Sequence, residues 1–283
     1  MKAKRFGEGK HISEIILLLA AFLLFSYAVL ASERFPVGPQ FITEIQNERY
    51  NVTFYNTTRV YAEAGNLTEL RIQGLTQTEA WQGYYGYITG TIVLDDEQQN
   101  TMYNWTVAEP QGKIFASNET ISDWSTAHCL DLYAMNTSAA GYTYSWDAGA
   151  RSTTTTKWLN VSHIEAAFGI EYDDDDGVNE TFRYQRHERF WVGTLEFPAN
   201  TCNTTFTYIN DTIQQVDFME ALLTVNNSDS LVFMTIIETS EPGNQSEQYG
   251  FDSRLHDFQM MVLDDGHDGN DQVTPYYFYI EIE

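Results

Sequence analysis

The chain has 283 residues, with 15 lysines and arginines against 40 aspartates and glutamates, and a formal net charge of −25. A polypeptide with this negative charge lacks the cationic surface that nucleic acids and anionic membrane surfaces require. Neither is therefore expected as a partner. Aromatic residues make up 14% of the chain, including 18 tyrosines and 17 phenylalanines, and this composition favours strands over helices.

The N-terminal region contains an uncharged apolar run from Ile15 to Ala31, preceded by four basic residues. A helix over this run would be about 25 Å long, at the short end of what crosses a bilayer. The basic flank predicts a cytoplasmic N-terminus and places the rest of the chain outside the cell. We therefore expect a leader and apolar helix in contact with the lipid bilayer at 1–31, a linker at 32–40 and an extracellular region at 41–283.

Three fates of the apolar segment remain open. Small residues ending at Ala31 fit cleavage by a signal peptidase, and an uncut segment would leave a single-pass surface protein with a cytoplasmic N-terminus. The short basic leader, Gly9 as a cut site and Glu14 as the fifth residue of the mature chain resemble the N-termini of type IV pilins and related archaeal filament subunits. This resemblance implies cleavage after Gly9 and an extracellular filament in which Glu14 pairs with the amino group of a neighbouring subunit.

The strongest strand pattern lies at Ala80–Leu94, and Thr101–Val107 follows it after the acidic turn Asp95-Asp96-Glu97. The two runs predict a β-hairpin, and Lys113–Ser117 predicts a further strand. Trp105 in this region is interpreted as a core residue, because aromatic side chains in β proteins are more often buried than used as sugar platforms.

Two cysteines, Cys129 and Cys202, lie in the predicted extracellular region. An isolated pair in an oxidising compartment predicts one disulfide, with free thiols or metal ligands as the alternative.

A capping box at Ser162–Glu165 predicts a short helix that Gly169 ends. Two acidic runs contain the hard oxygen ligands that Ca²⁺ prefers, Asp173–Asp176 and a second run beginning at Asp264. A solvated acidic turn is the alternative for both. The predicted ligands in the second run are Asp264, Asp265, Asp268 and Asp271.

Two late segments read as strands of a main sheet. Leu231–Glu238 is apolar enough for a sheet interior. Tyr276–Glu283 ends in strict alternation, with Tyr279 and Glu281 on one face and Ile280 on the other. The expected fold is therefore mainly β: an N-terminal apolar helix, then an extracellular β-sandwich-type region with one short helix, in one unit or two subdomains.

Twelve of the 17 asparagines open an N-x-Ser/Thr sequon without proline, about four times the number expected by chance. This excess predicts a surface that carries N-linked glycans. The predicted acceptors are Asn51, Asn56, Asn66, Asn104, Asn118, Asn136, Asn160, Asn179, Asn203, Asn210, Asn226 and Asn244.

Three long segments carry a further resemblance: GYITGTIVLDDEQQNTMYNWTV, NETFRYQRHERFWVG and HDFQMMVLDDGHDGNDQVTPYYFYIEIE. They resemble a group of uncharacterised archaeal surface proteins with a single N-terminal apolar segment. The resemblance implies an extracytoplasmic β protein and assigns no catalytic residue.

The sequence contains no nucleophile elbow, zinc-binding HExxH helix, phosphate loop or dinucleotide fingerprint. We therefore expect a non-enzymatic structural glycoprotein of the cell surface, either a pilin-like filament subunit that self-associates or a protein associated with envelope proteins. The alternative is a membrane-anchored adhesion module that binds glycans or proteins.

Overall fold

The computed structural model of the chain describes residues 35–45, 64, 67, 69–70, 77–107, 110–130, 132, 146–147, 150–151, 161–171, 174–213, 217–225, 230–238, 249–264 and 273–282. The described residues from Pro36 onward belong to one compact unit. Within these ranges no helix is long and apolar enough to cross a bilayer. The predicted helix at Ile15–Ala31, together with Gly9 and Glu14, lies outside them and stays a prediction.

Strands dominate the described residues, which confirms the mainly β prediction. The strands are β1 (Trp81–Gly86), β2 (Gly90–Asp95), β3 (Thr101–Val107), β4 (Gly112–Ser117), β5 (His128–Cys129), β6 (Trp146–Asp147), β7 (Ala150–Arg151), β8 (Phe190–Val192), β9 (Leu195–Phe197), β10 (Thr204–Phe206), β11 (Met219–Val225), β12 (Ser230–Ile237), β13 (Phe258–Leu263) and β14 (Tyr277–Ile282). The described helices are α1 (Val161–Ala167) and α2 (Val178–Thr181).

The main sheet is antiparallel and has six strands. Its order is β10-β11-β12-β4-β14, and β5 pairs with a further stretch of β11. β12 lies in the middle, and all of its residues but Ile236 are buried, which confirms the prediction of an interior strand. β14 pairs with β4 from Tyr277 to Ile282, so the predicted last strand does belong to the main sheet.

One face of the main sheet is covered by the two-stranded pair β1–β13 and by α1. The Phe233 ring lies at the centre of this layer, with the rings of Trp81 and Phe182 at 6.3 and 6.1 Å between centroids. The Thr235 hydroxyl donates a 3.0 Å hydrogen bond to the Gln259 carbonyl, which joins β12 to β13. Among the described residues, the second layer therefore consists of the β1–β13 pair and the helices α1 and α2, rather than a second sheet of equal width.

The opposite face of the main sheet is covered by the loop after β4 and by the β8–β9 hairpin. The Trp124 ring packs between Phe115 of β4 and Tyr279 of β14, at 4.9 and 5.2 Å. The Glu281 carboxylate accepts the backbone N–H of Gly193, in the β8–β9 turn, at 3.2 Å. Both faces of the sheet are thus buried.

The structure refines two of the predicted elements. Ala80–Leu94 forms two strands rather than one, because the Asp257 carboxylate accepts the N–H of Ile88 at 2.6 Å and removes that backbone group from a ladder. The predicted short helix is present as α1, but it begins at Val161, so Ser162 lies inside the helix rather than at its N-cap; Gly169 follows the helix with φ at +69°, as the predicted stop requires.

Candidate functional site

The hairpin β2–β3 forms a sheet of its own, in which Leu94 lies opposite Tyr103. Its turn is fixed by the Asp96 carboxylate. One oxygen accepts the backbone N–H groups of Gln98 and Asn100 at 2.9 and 2.8 Å, and the other accepts the Asn100 side-chain amide at 2.8 Å. The predicted hairpin with an acidic turn is therefore confirmed.

One face of the hairpin presents four apolar side chains to solvent. Ile92 lies opposite Trp105, and Leu94 lies opposite Tyr103, so all four share a face. Each is between 49% and 58% exposed, and the rings of Tyr103 and Trp105 lie 4.7 Å apart. We refer to these four residues as the apolar stripe. Contiguous exposed apolar side chains of this kind mark interaction surfaces.

The other face of the hairpin carries a predicted glycan acceptor. Asn104 lies opposite Val93, and Thr91 lies opposite Thr106. Asn104 is exposed, and strand alternation directs it away from the apolar stripe. A glycan on Asn104 would therefore leave the stripe uncovered.

A close backbone approach anchors the base of the hairpin. Gly90 is buried, and a Cβ atom there would lie 2.9 Å from Ile282 Cδ1 of β14 and 3.4 Å from Val107 Cβ. Glycine at this position lets the hairpin start directly against the end of the main sheet.

The tip of the hairpin is a compact anionic group formed by Asp95, Asp96 and Glu97, all exposed. The hydrogen bonds from Asn100 hold the pKa of Asp96 below its ordinary value. We refer to these three residues as the acidic tip; it lies at the end of the apolar stripe.

A second exposed segment is rich in arginine. Arg183, Arg186 and Arg189 are all exposed, and we refer to them as the arginine ridge. The Arg189 guanidinium lies 5.2 Å from the centroid of the Trp191 ring and 3.5 Å from the Glu196 carboxylate. Trp191 is itself 41% exposed. The ridge therefore combines positive charge with an accessible aromatic ring.

The β8–β9 hairpin turns Trp191 and Glu196 outward, next to Arg189. Phe190 and Phe197 stack at 4.7 Å and are buried, so alternation turns Trp191 and Glu196 to the outside. Sequence patterns already contain the signal for the ridge, because three arginines within seven residues stand out in an acidic chain.

A buried histidine holds the segment that carries the ridge. His187 Nε2 accepts the backbone N–H groups of Thr201 and Cys202, both at 2.9 Å. Its Nδ1–H donates to the Glu188 carbonyl at 2.7 Å. Burial lowers the pKa of His187, as expected of a neutral ring whose Nε2 must keep its lone pair. Sequence analysis gave this histidine no role.

The predicted disulfide between Cys129 and Cys202 is confirmed, with the two Cα atoms 4.9 Å apart. Cys129 belongs to β5 and Cys202 lies just before β10. The bond therefore links β5 to the segment just before β10, and both β5 and β10 pair with β11.

The predicted glycan acceptors differ in accessibility. Asn104 and Asn210 are exposed, Asn118 and Asn179 are half-buried, and Asn203 is buried. Glycosylation of the first four stays a prediction. The other seven lie outside the described residues: Asn51, Asn56, Asn66, Asn136, Asn160, Asn226 and Asn244.

Asn203 differs from the other sequons in its surroundings. Its side chain is 3% exposed, and its amide nitrogen donates a 2.9 Å hydrogen bond to the Phe182 carbonyl. The nitrogen that a glycan would occupy is enclosed in the folded domain, so the folded chain does not offer Asn203 as an acceptor.

Where the acidic runs are described, their carboxylates accept hydrogen bonds from other groups of the chain. Asp174 accepts the N–H of Glu171 at 2.7 Å, and Asp176 accepts the Thr78 hydroxyl at 2.6 Å. Asp264 accepts the N–H of Thr274 at 3.3 Å. Among residues with described placement, no three His, Cys, Asp or Glu side chains converge as a metal site requires. Asp265, Asp268 and Asp271 lie outside those residues, so the Ca²⁺ site there stays a prediction.

Burial raises the pKa of two glutamates at the main sheet, the fully buried Glu220 of β11 and the half-buried Glu238 directly after β12. Burial raises the pKa of Glu220 well above its ordinary value; one carboxylate oxygen accepts the Met261 N–H at 2.9 Å, and the other has no hydrogen-bond partner. Burial also raises the pKa of Glu238 to about 7, and this carboxylate accepts the Phe218 N–H at 3.1 Å. No spacing in the sequence marks either residue.

Comparison with family models, curated proteins and solved structures finds no match to this chain.

Proposed function

We propose that the protein is a non-enzymatic structural subunit of the cell surface that associates with further copies of itself through the apolar stripe. In this proposal the Ile15–Ala31 segment holds the chain in the bilayer or packs in a filament core, and N-linked glycans cover other surfaces. The exposed stripe is the observation that carries the proposal.

The composition and setting of the stripe support a protein partner. Tyrosine and tryptophan are the residue types that dominate the energetics of protein interfaces, and the stripe has one of each beside two aliphatic side chains. Among the described residues, β2 and β3 pair only with each other, so each keeps an outer edge with backbone groups for a further strand.

Site-specific photo-cross-linking on cells tests the proposal with the full-length chain. A photoreactive phenylalanine analogue replaces Tyr103, in the stripe, and in a second variant replaces Val93, on the other face. We expect irradiation to give a covalent dimer from position 103 and little from position 93. Co-expression of ¹⁴N- and ¹⁵N-labelled copies, read by mass spectrometry, distinguishes a second copy from an intramolecular product.

Three outcomes would overturn the proposal. One is a cross-link from position 103 to a different protein, and another is a cross-link to lipid alone. The third is equal dimer yields from positions 103 and 93, which would indicate random collision rather than a specific contact.

A second candidate function, carbohydrate binding by an adhesion module, is favoured by one cluster of rings. The Tyr85 ring lies 4.9 Å from Phe251 and 4.8 Å from the His256 imidazole, and the Tyr85 and Phe251 side chains are exposed. Ring faces of this kind stack on sugars. However, Asn210 donates its backbone N–H to the Gly250 carbonyl at 3.2 Å, which places a predicted glycan acceptor beside the cluster. Binding to a glycan array that Tyr85→Ala abolishes would favour this function over self-association.

A further inference from the structure

Electrostatics limits how two copies of this chain can meet. With a net charge of −25, copies repel one another over most of their surfaces, and a stable contact needs locally opposite charges. The acidic tip makes this requirement acute for the hairpin, because three carboxylates lie at the end of the stripe. A surface that accepts the hairpin must therefore be cationic as well as partly apolar.

Within the described part of the chain, the arginine ridge meets this requirement best. Lys113 is buried, and Arg254, which lies 3.7 Å from the Asp252 carboxylate, has no second arginine or lysine near it in the sequence. The ridge instead has three exposed guanidinium groups within seven residues.

The ion pairs that the ridge already makes are weak and exchangeable. The Arg183 and Glu180 side chains lie 3.8 Å apart with more than half of each exposed, and the Arg189–Glu196 pair is similar at 3.5 Å. Exposed pairs of this kind contribute little to stability, so the guanidinium groups of Arg183 and Arg189 keep their capacity for a carboxylate from another copy.

The ridge also supplies an apolar component. Trp191 lies beside Arg189 on the outward face of the β8–β9 hairpin. Tryptophan and arginine are among the residue types that contribute most of the binding energy near the centre of protein interfaces. Trp191 can therefore contact the apolar stripe while the guanidinium groups pair with the acidic tip.

Building on the proposed function, we infer that the β2–β3 hairpin of one copy docks on the arginine ridge and Trp191 of the next copy. The two surfaces are different parts of the chain, so the contact is head-to-tail. Each copy in such a contact keeps one free hairpin and one free ridge, and the contact propagates as an open filament or closes as a ring.

Charge reversal tests the inference with the full-length chain in detergent micelles. The tip variant carries Asp95→Lys and Glu97→Lys and leaves Asp96, which fixes the turn. The ridge variant carries Arg183→Glu and Arg189→Glu. Each variant alone brings like charges together, and we expect its association constant, measured by sedimentation velocity, to fall about 100-fold.

Mixing the two variants is the decisive arm. In the mixture, the basic tip of the tip variant meets the acidic ridge of the ridge variant, and the unmodified ridge of the tip variant meets the unmodified tip of the ridge variant. We expect the mixture to associate within a few fold of the wild type. A control that carries Glu171→Lys and Asp175→Lys, both exposed positions, has the same change in net charge as the tip variant and should associate at least as well as the wild type. Two weak variants whose mixture stays weak would overturn the inference, as would two variants that associate normally.

The site of the cross-link separates this inference from the proposed function. A dimer cross-linked from position 103 to residues 183–191 supports both. A dimer cross-linked from position 103 to any other segment leaves self-association intact and overturns the head-to-tail contact. If position 103 gives no dimer, the proposed function fails, and the inference fails with it.

Discussion

The central strand β12 and the hairpin strand β2 are built from similar residues and have opposite fates. β12 reads SLVFMTII and is almost wholly buried, whereas β2 reads GTIVLD and is exposed from its second residue onward. β12 has a paired strand on each side and a packed layer on each face. β2 has one paired strand, β3. Local sequence thus determines that both segments are strands, and their neighbours determine which of them is core.

The difference separates two uses of apolar side chains in one molecule. In the sheet, burial of such side chains stabilises the fold, at roughly 25 cal/mol per Å² of apolar area. In the hairpin the same area stays in contact with water, where it lends the fold little and remains available for a partner. Changes in the sheet should therefore alter stability, and changes in the hairpin should alter association.

Loss of the disulfide should have the largest effect on the sheet. Replacing Cys129 and Cys202 together by serine removes a cross-link between positions 73 residues apart. We expect the free energy of unfolding to fall by about 4 kcal/mol from loop entropy, measured by denaturant titration. With reductant, the unfolding free energy of the wild type should approach that of the variant. Reductant should not change the unfolding free energy of the variant. Unchanged midpoints would mean that the bond does not constrain the domain.

A matched pair of leucines tests the contrast directly. Leu222 on β11 is fully buried and Leu94 on β2 is half exposed. We expect Leu222→Ala to cost about 3 kcal/mol of unfolding free energy because it leaves a cavity, and Leu94→Ala to cost less than about 0.5 kcal/mol. Only Leu94→Ala should reduce the yield of cross-linked dimer. Equal costs at the two positions would show that the hairpin is part of the core.

Glu238, directly after β12, should make the sheet sensitive to pH. Its pKa rises from 4.5 to about 7 on folding, chiefly through burial. Below about pH 4.5 both folded and unfolded chains hold the proton, and between 4.5 and 7 only the folded chain does. The contribution of Glu238 to stability therefore falls as pH rises through this window, by about 3 kcal/mol in total, and is constant above it.

Glu238→Gln removes that proton and keeps an oxygen to accept the Phe218 N–H. We expect the variant to lose less stability than the wild type between pH 4.5 and 7, measured by urea titration at several pH values. Glu220, whose pKa is also raised, gives the same slope in both proteins and cancels in the comparison. Parallel curves for the two proteins would contradict the prediction.

The smallest effect on stability is expected at the ridge. Glu196→Gln breaks the exposed pair with Arg189 and should change the free energy of unfolding by less than about 0.5 kcal/mol. The same variant leaves Arg189 free for a carboxylate of another copy, so association should become tighter. Glu180→Gln, which breaks the pair with Arg183, serves as the matched variant. Tighter association without altered stability would sharpen the contrast between sheet and surface, and a large loss of stability would contradict it.

Local signals in the sequence predicted strands β1 to β4, β12 and β14, the short helix and the β2–β3 hairpin. Alternation in Tyr276–Glu283 and the apolar run in Leu231–Glu238 are periodic patterns, and the capping box at Ser162–Glu165 is a short-range one. The disulfide was predicted for a different reason, because two cysteines in an oxidising compartment leave one pairing. Each of these inferences needs only neighbouring residues or a count.

The remaining features depend on residues far apart in the chain. Trp105 was interpreted as a core residue and is half exposed, because no other described strand pairs with the hairpin. Glu220 and His187 are enclosed by segments distant in sequence, so nothing local marks them. The three arginines of the ridge stand close together in the sequence, but their exposure is evident only from the folded structure.

Under the proposed function, in which the chain is exported and glycosylated, the buried sequon at Asn203 has a consequence for the order of events. An unfolded chain exposes Asn203-Thr204-Thr205 to a glycosyl-transferring enzyme as readily as any other sequon. A sugar on the amide nitrogen leaves one N–H there but does not fit at this buried position, so the side chain is kept from its contact with the Phe182 carbonyl and the adjoining Cys202 is hindered from reaching Cys129. Folding and oxidation of this segment therefore compete in time with glycan transfer. A chain that is glycosylated at Asn203 before this segment folds is prevented from completing its sheet.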